Sequence, residues 1–154
     1  MALYFLDTSA IVKRYFPEKG HTWVTDLCDL EQEHTLYISQ ATLVEVVAAT
    51  CRREREHSIT IEERNTIITT FRQDSRDSYE VLPVTTDMYT FAGDLCRSHR
   101  LRAYDAVQLA CALAIRAAAI TNQVPEPIFV CADLGLLAVA AVEGLGIENP
   151  NNYS

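Results

Sequence analysis

Residues 2–10 read Ala2-Leu3-Tyr4-Phe5-Leu6-Asp7-Thr8-Ser9-Ala10, an apolar run that ends on a carboxylate and passes into cap-type residues. A short uninterrupted apolar run is typical of a strand covered on both faces in a parallel sheet, whereas a half-exposed antiparallel strand alternates. Asp7-Thr8-Ser9 supplies helix-capping side chains, and Ala10–Tyr15 reads as helical until Pro17 stops it. The unit is strand, acid, helix, and alternation of strands with helices continues along the chain.

His21–Glu33 reads as a helix with Trp23, Val24, Leu27, Cys28 and Leu30 on its inner face. Leu36-Tyr37-Ile38 is a second strand leading into a helix over Ala41–Glu56, and Thr60-Ile61-Glu62-Glu63 is a capping signal for a helix to about Asp77. Tyr79–Leu82 is a third strand that Pro83 either ends or marks as an edge. A helix over Thr85–Arg100 turns Met88, Phe91, Leu95 and Cys96 inward, and the most apolar helix begins at Ala103 or Tyr104 and runs through Ile120. After the loop 122–127 come a strand Ile128–Cys131, a helix Gly135–Glu143 and a last strand near Ile147. This alternation, with no repeat or composition break, predicts an α/β protein: an α/β/α sandwich around a central, mostly parallel sheet. One domain over residues 1–150 is expected, with a short tail at 151–154.

With 154 residues, 49% of them apolar and 22% charged, the chain is sized for one ordinary core. No apolar run reaches the roughly 18 residues of a membrane span, because Gln108 and Arg116 interrupt Ala106–Ile120. The first residues enter a strand at once, without a basic region and cleavage site, so a cytoplasmic protein without membrane attachment is expected. The cysteines (Cys28, Cys51, Cys96, Cys111, Cys131) show no C-x-x-C spacing and read as small buried hydrophobes in a reducing compartment. A net charge of −8 argues against a surface that binds nucleic acid over its whole face. Cations held by acidic residues would reduce that deficit locally.

Asp7 closes the first strand, Glu45 interrupts Leu43-Val44-Glu45-Val46-Val47, Asp105 opens the apolar stretch Ala106–Ile120, and Asp133 follows Ile128-Phe129-Val130-Cys131-Ala132. Each has a plain explanation. Asp7 and Asp133 are potential caps or strand ends, Asp105 suits the first turn of a helix, and Glu45 fits a narrow polar edge with Thr42 and Arg52. Jointly they say more, because clustered carboxylates beside apolar surface repel one another unless a divalent cation offsets them. In open α/β sheets, ligands bind beyond the carboxyl ends of the strands, where Asp7 and Asp133 fall. An all-oxygen donor set suits Mg²⁺ or Mn²⁺ rather than zinc, and such a site can activate water against a phosphodiester.

Basic residues adjoin these acids in sequence. Lys13 and Arg14 follow Asp7, and Arg97, His99, Arg100 and Arg102 precede Asp105. They are either a solvated charge run or a grip on a polyanion, and Lys13, Arg14, His99, Arg100 and Arg102 are the candidates for substrate contact. Arg52, Arg53 and Arg55 alternate with Glu54 and Glu56 and read as a solvated helix end.

Leu6-Asp7-Thr8-Ser9-Ala10, Leu43-Val44-Glu45-Val46, the stretch Leu101-Arg102-Ala103-Tyr104-Asp105-Ala106-Val107-Gln108-Leu109-Ala110, and Val130-Cys131-Ala132-Asp133 resemble the PIN domain. More narrowly, the chain is similar over Leu3–Pro150 to the VapC toxins of toxin–antitoxin pairs. The resemblance implies a parallel sheet between helices and a Mg²⁺-dependent endonuclease that cleaves RNA. By position, Asp7, Glu45, Asp105 and Asp133 would form the acidic site, with Asp7 and Asp105 in direct metal contact. Glu45 would assist metal binding or water activation, and Asp133 would act directly or through water. Ser9 would add a hydroxyl that orients a carboxylate or a bound water. A homodimer and a small VapB-like antitoxin as partner are also implied.

The chain departs from the family's pattern twice. Cys131 stands where Ser or Thr is common, a weaker hydrogen-bonding group beneath Asp133, and Arg100 stands where many members have Gly, which would strain the chain if that position needs positive φ. Two rival readings remain: a metal-stabilised interaction domain without catalysis, and a phosphatase with Asp7 as nucleophile. The second lacks its usual Asp-x-Asp, since Ser9 stands two residues on.

Overall fold

The computed structural model describes residues 1–154. Five strands form one sheet, β1 (Leu3–Leu6), β2 (Thr35–Ser39), β3 (Glu80–Leu82), β4 (Ile128–Val130) and β5 (Gly146–Glu148), in the order β3-β2-β1-β4-β5. Every neighbouring pair is parallel, so the sheet is wholly rather than mostly so. The helices are α1 (Thr8–Ile11), α2 (His21–Leu27), α3 (Thr42–Arg55), α4 (Ile61–Asp77), α5 (Thr86–Ser98), α6 (Ala103–Thr121) and α7 (Leu134–Val142).

The side-chain alternation of β1 sorts the core into two. Phe5 packs with Phe129 of β4, ring centroids 5.9 Å apart, in a cluster shared with α5, α6 and α7. Leu6, Ile38 and Val130 point the other way, into a cluster with Ile11, Val24, Val46 and Phe71 from α1 to α4. Phe5, Leu6, Phe129 and Val130 are fully buried, as a strand covered on both faces requires. Truncating either phenylalanine to alanine would cost about 3–5 kcal/mol. By length and composition α6 is apolar enough to cross a membrane, yet residues 106–112 are all buried in this core.

Several elements differ in detail from the sequence expectation. After α1 the chain tightens into a 3-10 turn, Val12–Arg14. The second helix ends at Leu27 and a separate 3-10 turn, Leu30–Gln32, follows; Asp29 caps that turn through the Glu31 N–H, and Leu30 is exposed rather than inward. On α5 the inner stripe is Met88, Ala92 and Leu95, while Phe91 and Cys96 face outward. Cys28, Cys111 and Cys131 are buried, Cys51 is half-buried, and none is in a disulfide. Thr60 and Glu63 form the reciprocal capping box of α4, and β3 is an edge strand followed by Pro83. The terminal residues are held: Pro150–Asn152 forms a 3-10 turn, and Tyr153 stacks on Trp23 at 4.5 Å.

Because β1 connects onward to β2 and β3 on one side and borders β4 and β5 on the other, strand order reverses between β1 and β4. A crevice at such a switch point is where doubly covered sheets bind ligands. Asp7 and Asp133 leave the sheet there.

Candidate active site

All four acids stand at helix beginnings. Asp7 is the N-cap of α1, Asp133 the N-cap of α7, and Glu45 and Asp105 lie in the first turns of α3 and α6. Glu45 thus lies close to the start of α3, and Val44 beside it is 61% exposed. Backbone N–H groups at helix starts favour negative charge, which offsets part of the cost of assembling these acids.

Asp7 is 4% exposed. Its Oδ2 accepts from the Ser9 backbone N–H at 3.1 Å and from Ser9 Oγ at 2.6 Å, while Oδ1 receives no bond from the protein. Ser9 Oγ also accepts from the Ala132 N–H at 3.0 Å, tying the end of β1 to the segment that carries Asp133. Cys131 Sγ lies 3.6 Å from both Ser9 Oγ and Asp7 Oδ2, and it accepts from the Asp133 N–H at 3.3 Å. A thiol thus does the work expected of a hydroxyl. Burial, followed by the Asp7 charge, raises its pKa and keeps it protonated.

The acids act on one another. Burial pushes Asp7 up to about 6, against the two Ser9 hydrogen bonds, with Asp105 and Glu45 adding to the rise. Asp105 is raised by burial, by Asp133 and by Glu45, and pulled back by Arg102. None of the chain's ion pairs includes Asp7, Glu45, Asp105 or Asp133. An acidic cluster with a deeply buried member and no ion-paired base fits a divalent cation, and its donors are all oxygen. No three acidic, His or Cys side chains converge tightly enough to enclose an ion by themselves. The donor chemistry suits a hard divalent cation, while the four side chains do not form a closed metal site of their own.

A polar network missing from the sequence expectation underlies Glu45. Its Oε1 accepts from Thr8 Oγ1 at 2.9 Å and from Gln108 Nε2 at 2.8 Å, and Gln108 Nε2 also reaches Thr42 Oγ1 at 2.9 Å. The signal in the sequence was a lone glutamine in an apolar helix, three residues after Asp105 and so on the same side of α6.

The basic candidates separate. Lys13 is 6% exposed and donates to Glu18 at 3.2 Å and to the Lys19 carbonyl at 2.8 Å. Arg14 bonds Tyr79 Oη at 2.6 Å and pairs with Asp74 at 3.5 Å, beside the amino end of β3. His99 is bonded to Glu143 at 2.6 Å, at the opposite end of α7 from Asp133. These three are engaged inside the protein and do not join the acids. Arg100 and Arg102 are exposed and free of ion pairs, and Arg102 is near enough to Asp105 to lower its pKa. Arg100 is not among the residues with positive φ, so it carries no such strain.

The family profile described as "PIN domain" matches residues 4–123. Among solved structures, FitAcB from Neisseria gonorrhoeae superposes with a TM-score of 0.58 at 16% identity, over 97% of this chain and 98% of that one. VapBC2 from Rickettsia felis, bound to a DNA fragment from their promoter, gives 0.61 at 15%, over 96% and 98%. A toxin–antitoxin complex from Klebsiella pneumoniae gives 0.60 at 14%, over 96% and 97%. At such identities the likeness is one of fold. No curated protein matches the sequence.

Proposed function

Because the chain belongs to the PIN-domain family, whose members are generally nucleases, we propose that it is a Mg²⁺- or Mn²⁺-dependent endoribonuclease and the toxin of a toxin–antitoxin pair. The observation that carries this reading is the set of four carboxylates at the switch point, with no basic residue ion-paired to any of them. Asp7 through Oδ1 and Asp105 would hold the cation directly, Glu45 would reach it through a bound water, and Asp133 directly or through water. When bound, the ion offsets charge on the phosphoryl group and lowers the pKa of water.

The protein's own residues do the rest. Ser9 fixes the Asp7 carboxylate, and Glu45 Oε2, unbonded within the protein, is the atom to take the proton of the attacking water. Water oxygen bonds to phosphorus, the bond to the leaving ribose oxygen breaks, and that oxygen takes a proton from solvent. Arg100 and Arg102, rather than Lys13, Arg14 or His99, are the groups to contact the RNA backbone.

A partner surface is supported by a groove of about 460 Å³ between α3, α4 and β3. Leu43, Val44, Val47 and Val81 give it an apolar floor, and Arg72 and Arg76 line it, which suits an antitoxin segment of aliphatic and acidic side chains. A cytoplasmic homodimer completes the reading, and sedimentation of the purified chain tests the dimer. The decisive experiment sequences RNA ends after controlled expression of wild type and Asp7→Ala. New ends are expected with wild type alone, and identical ends from both would refute the mechanism.

A further inference from the structure

Gln108 is 1% exposed in the most apolar helix of the chain, and its Oε1 is buried without any hydrogen-bond partner. A buried amide oxygen left unpaired is costly, and an apolar side chain of the same shape would pack there without that cost. The glutamine must be explained by its nitrogen. Nε2 lies 2.8 Å from Glu45 Oε1, 2.9 Å from Thr42 Oγ1 and 3.1 Å from Thr8 Oγ1. The two threonine hydroxyls are 3.0 Å apart, and Thr8 Oγ1 is 2.9 Å from Glu45 Oε1.

Proton arithmetic makes this a directed network. The amide has two N–H donors, each hydroxyl has one proton, and an ionised carboxylate only accepts. One amide proton goes to Glu45 and the other to Thr42. The Thr42 proton then goes to Thr8, and the Thr8 proton to Glu45. Every donor is used, and both branches end on the same atom, Glu45 Oε1. Turning the amide over would set its carbonyl oxygen against the carboxylate, acceptor against acceptor. The orphaned oxygen is thus the consequence of aiming the nitrogen at Glu45.

We propose that Gln108, with Thr8 and Thr42, is a positioning unit that fixes the Glu45 carboxylate through Oε1 and leaves Oε2 for the chemistry. The inference rests on the reading of Glu45 as part of a cation-dependent nuclease site. It makes α6 contribute twice, through Asp105 directly and through Gln108 by way of Glu45.

The test is Gln108→Met, alone and combined with Glu45→Gln, read by Mn²⁺ titration without RNA, by kcat and KM for RNA cleavage, and by thermal melting. Gln108→Met should melt no lower than wild type, bind Mn²⁺ about tenfold more weakly and lose about 10–100-fold in kcat, as outer-sphere partners of metal ligands commonly do. KM for RNA should stay within about twofold. In the Glu45→Gln background the same change should add nothing, because the unit acts only through Glu45. Wild-type Mn²⁺ affinity and kcat in Gln108→Met overturns the inference, as does a loss of equal size in the Glu45→Gln background. Should Gln108→Met fold poorly, Thr42→Val removes one link of the network and is judged by the same criteria. A wild type that neither binds Mn²⁺ nor cleaves RNA overturns the nuclease reading and this inference together, whereas an active wild type with an indifferent Gln108→Met overturns this inference alone.

Discussion

The Ser9 hydroxyl donates to Asp7 Oδ2 at 2.6 Å while accepting from the Ala132 N–H at 3.0 Å, so one side chain joins two neighbouring strand ends and aims the most buried acid of the site. Ser9→Ala removes both bonds and leaves the Ala132 N–H without its acceptor. A loss of about 1–3 kcal/mol in urea unfolding is expected. Cleavage should fall by about 10–100-fold, through a carboxylate that has lost its orientation. Unchanged cleavage would show that Asp7 does not depend on Ser9.

Asp7 sets a pH dependence whose sign is unusual for an acid. Its pKa rises from 3.8 unfolded to about 6 folded, so between those values the folded state binds more protons than the unfolded one. Stability from this group is therefore full at low pH and declines as pH rises through that window. At neutral pH the ionised carboxylate costs up to about 3 kcal/mol. Asp7→Asn, which keeps an acceptor for Ser9, should melt several degrees above wild type at pH 7 in EDTA. The gap should close towards pH 4, and added Mn²⁺ should raise only the wild type. Parallel melting profiles from pH 4 to 8 would contradict the burial argument.

Lys13 and Arg102 should separate stability from RNA binding. Glu18 accepts from Lys13 at 3.2 Å and from Arg53 at 2.9 Å. Although burial alone would raise the pKa of Glu18, those two bonds hold it below the ordinary range. Glu18→Gln takes the opposite charge away from the buried Lys13 ammonium, which keeps the Lys19 carbonyl, and should cost about 1–3 kcal/mol in urea unfolding, with RNA affinity unmoved. Arg102→Ala should leave melting alone and weaken RNA binding. It should also reduce the slope of log affinity against log salt by about 0.7. The reverse pattern would put the RNA against the Val12–Arg14 turn and Glu18 instead.

Gly20 has φ +87°, and a Cβ built there would lie 2.6 Å from the Pro150 carbonyl oxygen. Gly20→Ala combines left-handed strain with a backbone clash, and about 2–4 kcal/mol of destabilisation is expected. Chemical denaturation measures it directly, and a loss below about 0.5 kcal/mol would mean that the C-terminal turn moves aside freely.

Strand positions were legible because a doubly covered strand is a short solid apolar block; Leu3–Leu6 and Ile128–Val130 stand out against any background. The acids were legible because each breaks such a block or begins a helix. Hydropathy fails where size and face disagree. On α5 the small Ala92 lies inside while the large Phe91 is turned out, since the packed stripe runs Met88, Ala92, Leu95. It fails again for Lys13, whose charge looked like a surface feature until the fold brought Glu18 and the Lys19 carbonyl to it. Gln108 was visible as an interruption, but its partners Thr8, Thr42 and Glu45 lie 63–100 residues away along the chain, and only the packing of α6 against α1 and α3 supplies them.

The strand order has a consequence in time. Phe5 of the central strand pairs with Tyr37 on one side and with Phe129 on the other. At about 5–20 residues per second of synthesis, β1 waits roughly 6–25 s after emergence for its second neighbour. Asp133 arrives later still. A growing chain on the ribosome, already carrying Asp7, Glu45 and Asp105, has nothing to hold β1 and β4 side by side. The sheet edge that brings Asp7 beside Asp133 therefore comes into being only once residues 128–133 have been made, so the four acids assemble together and not one by one as the chain grows.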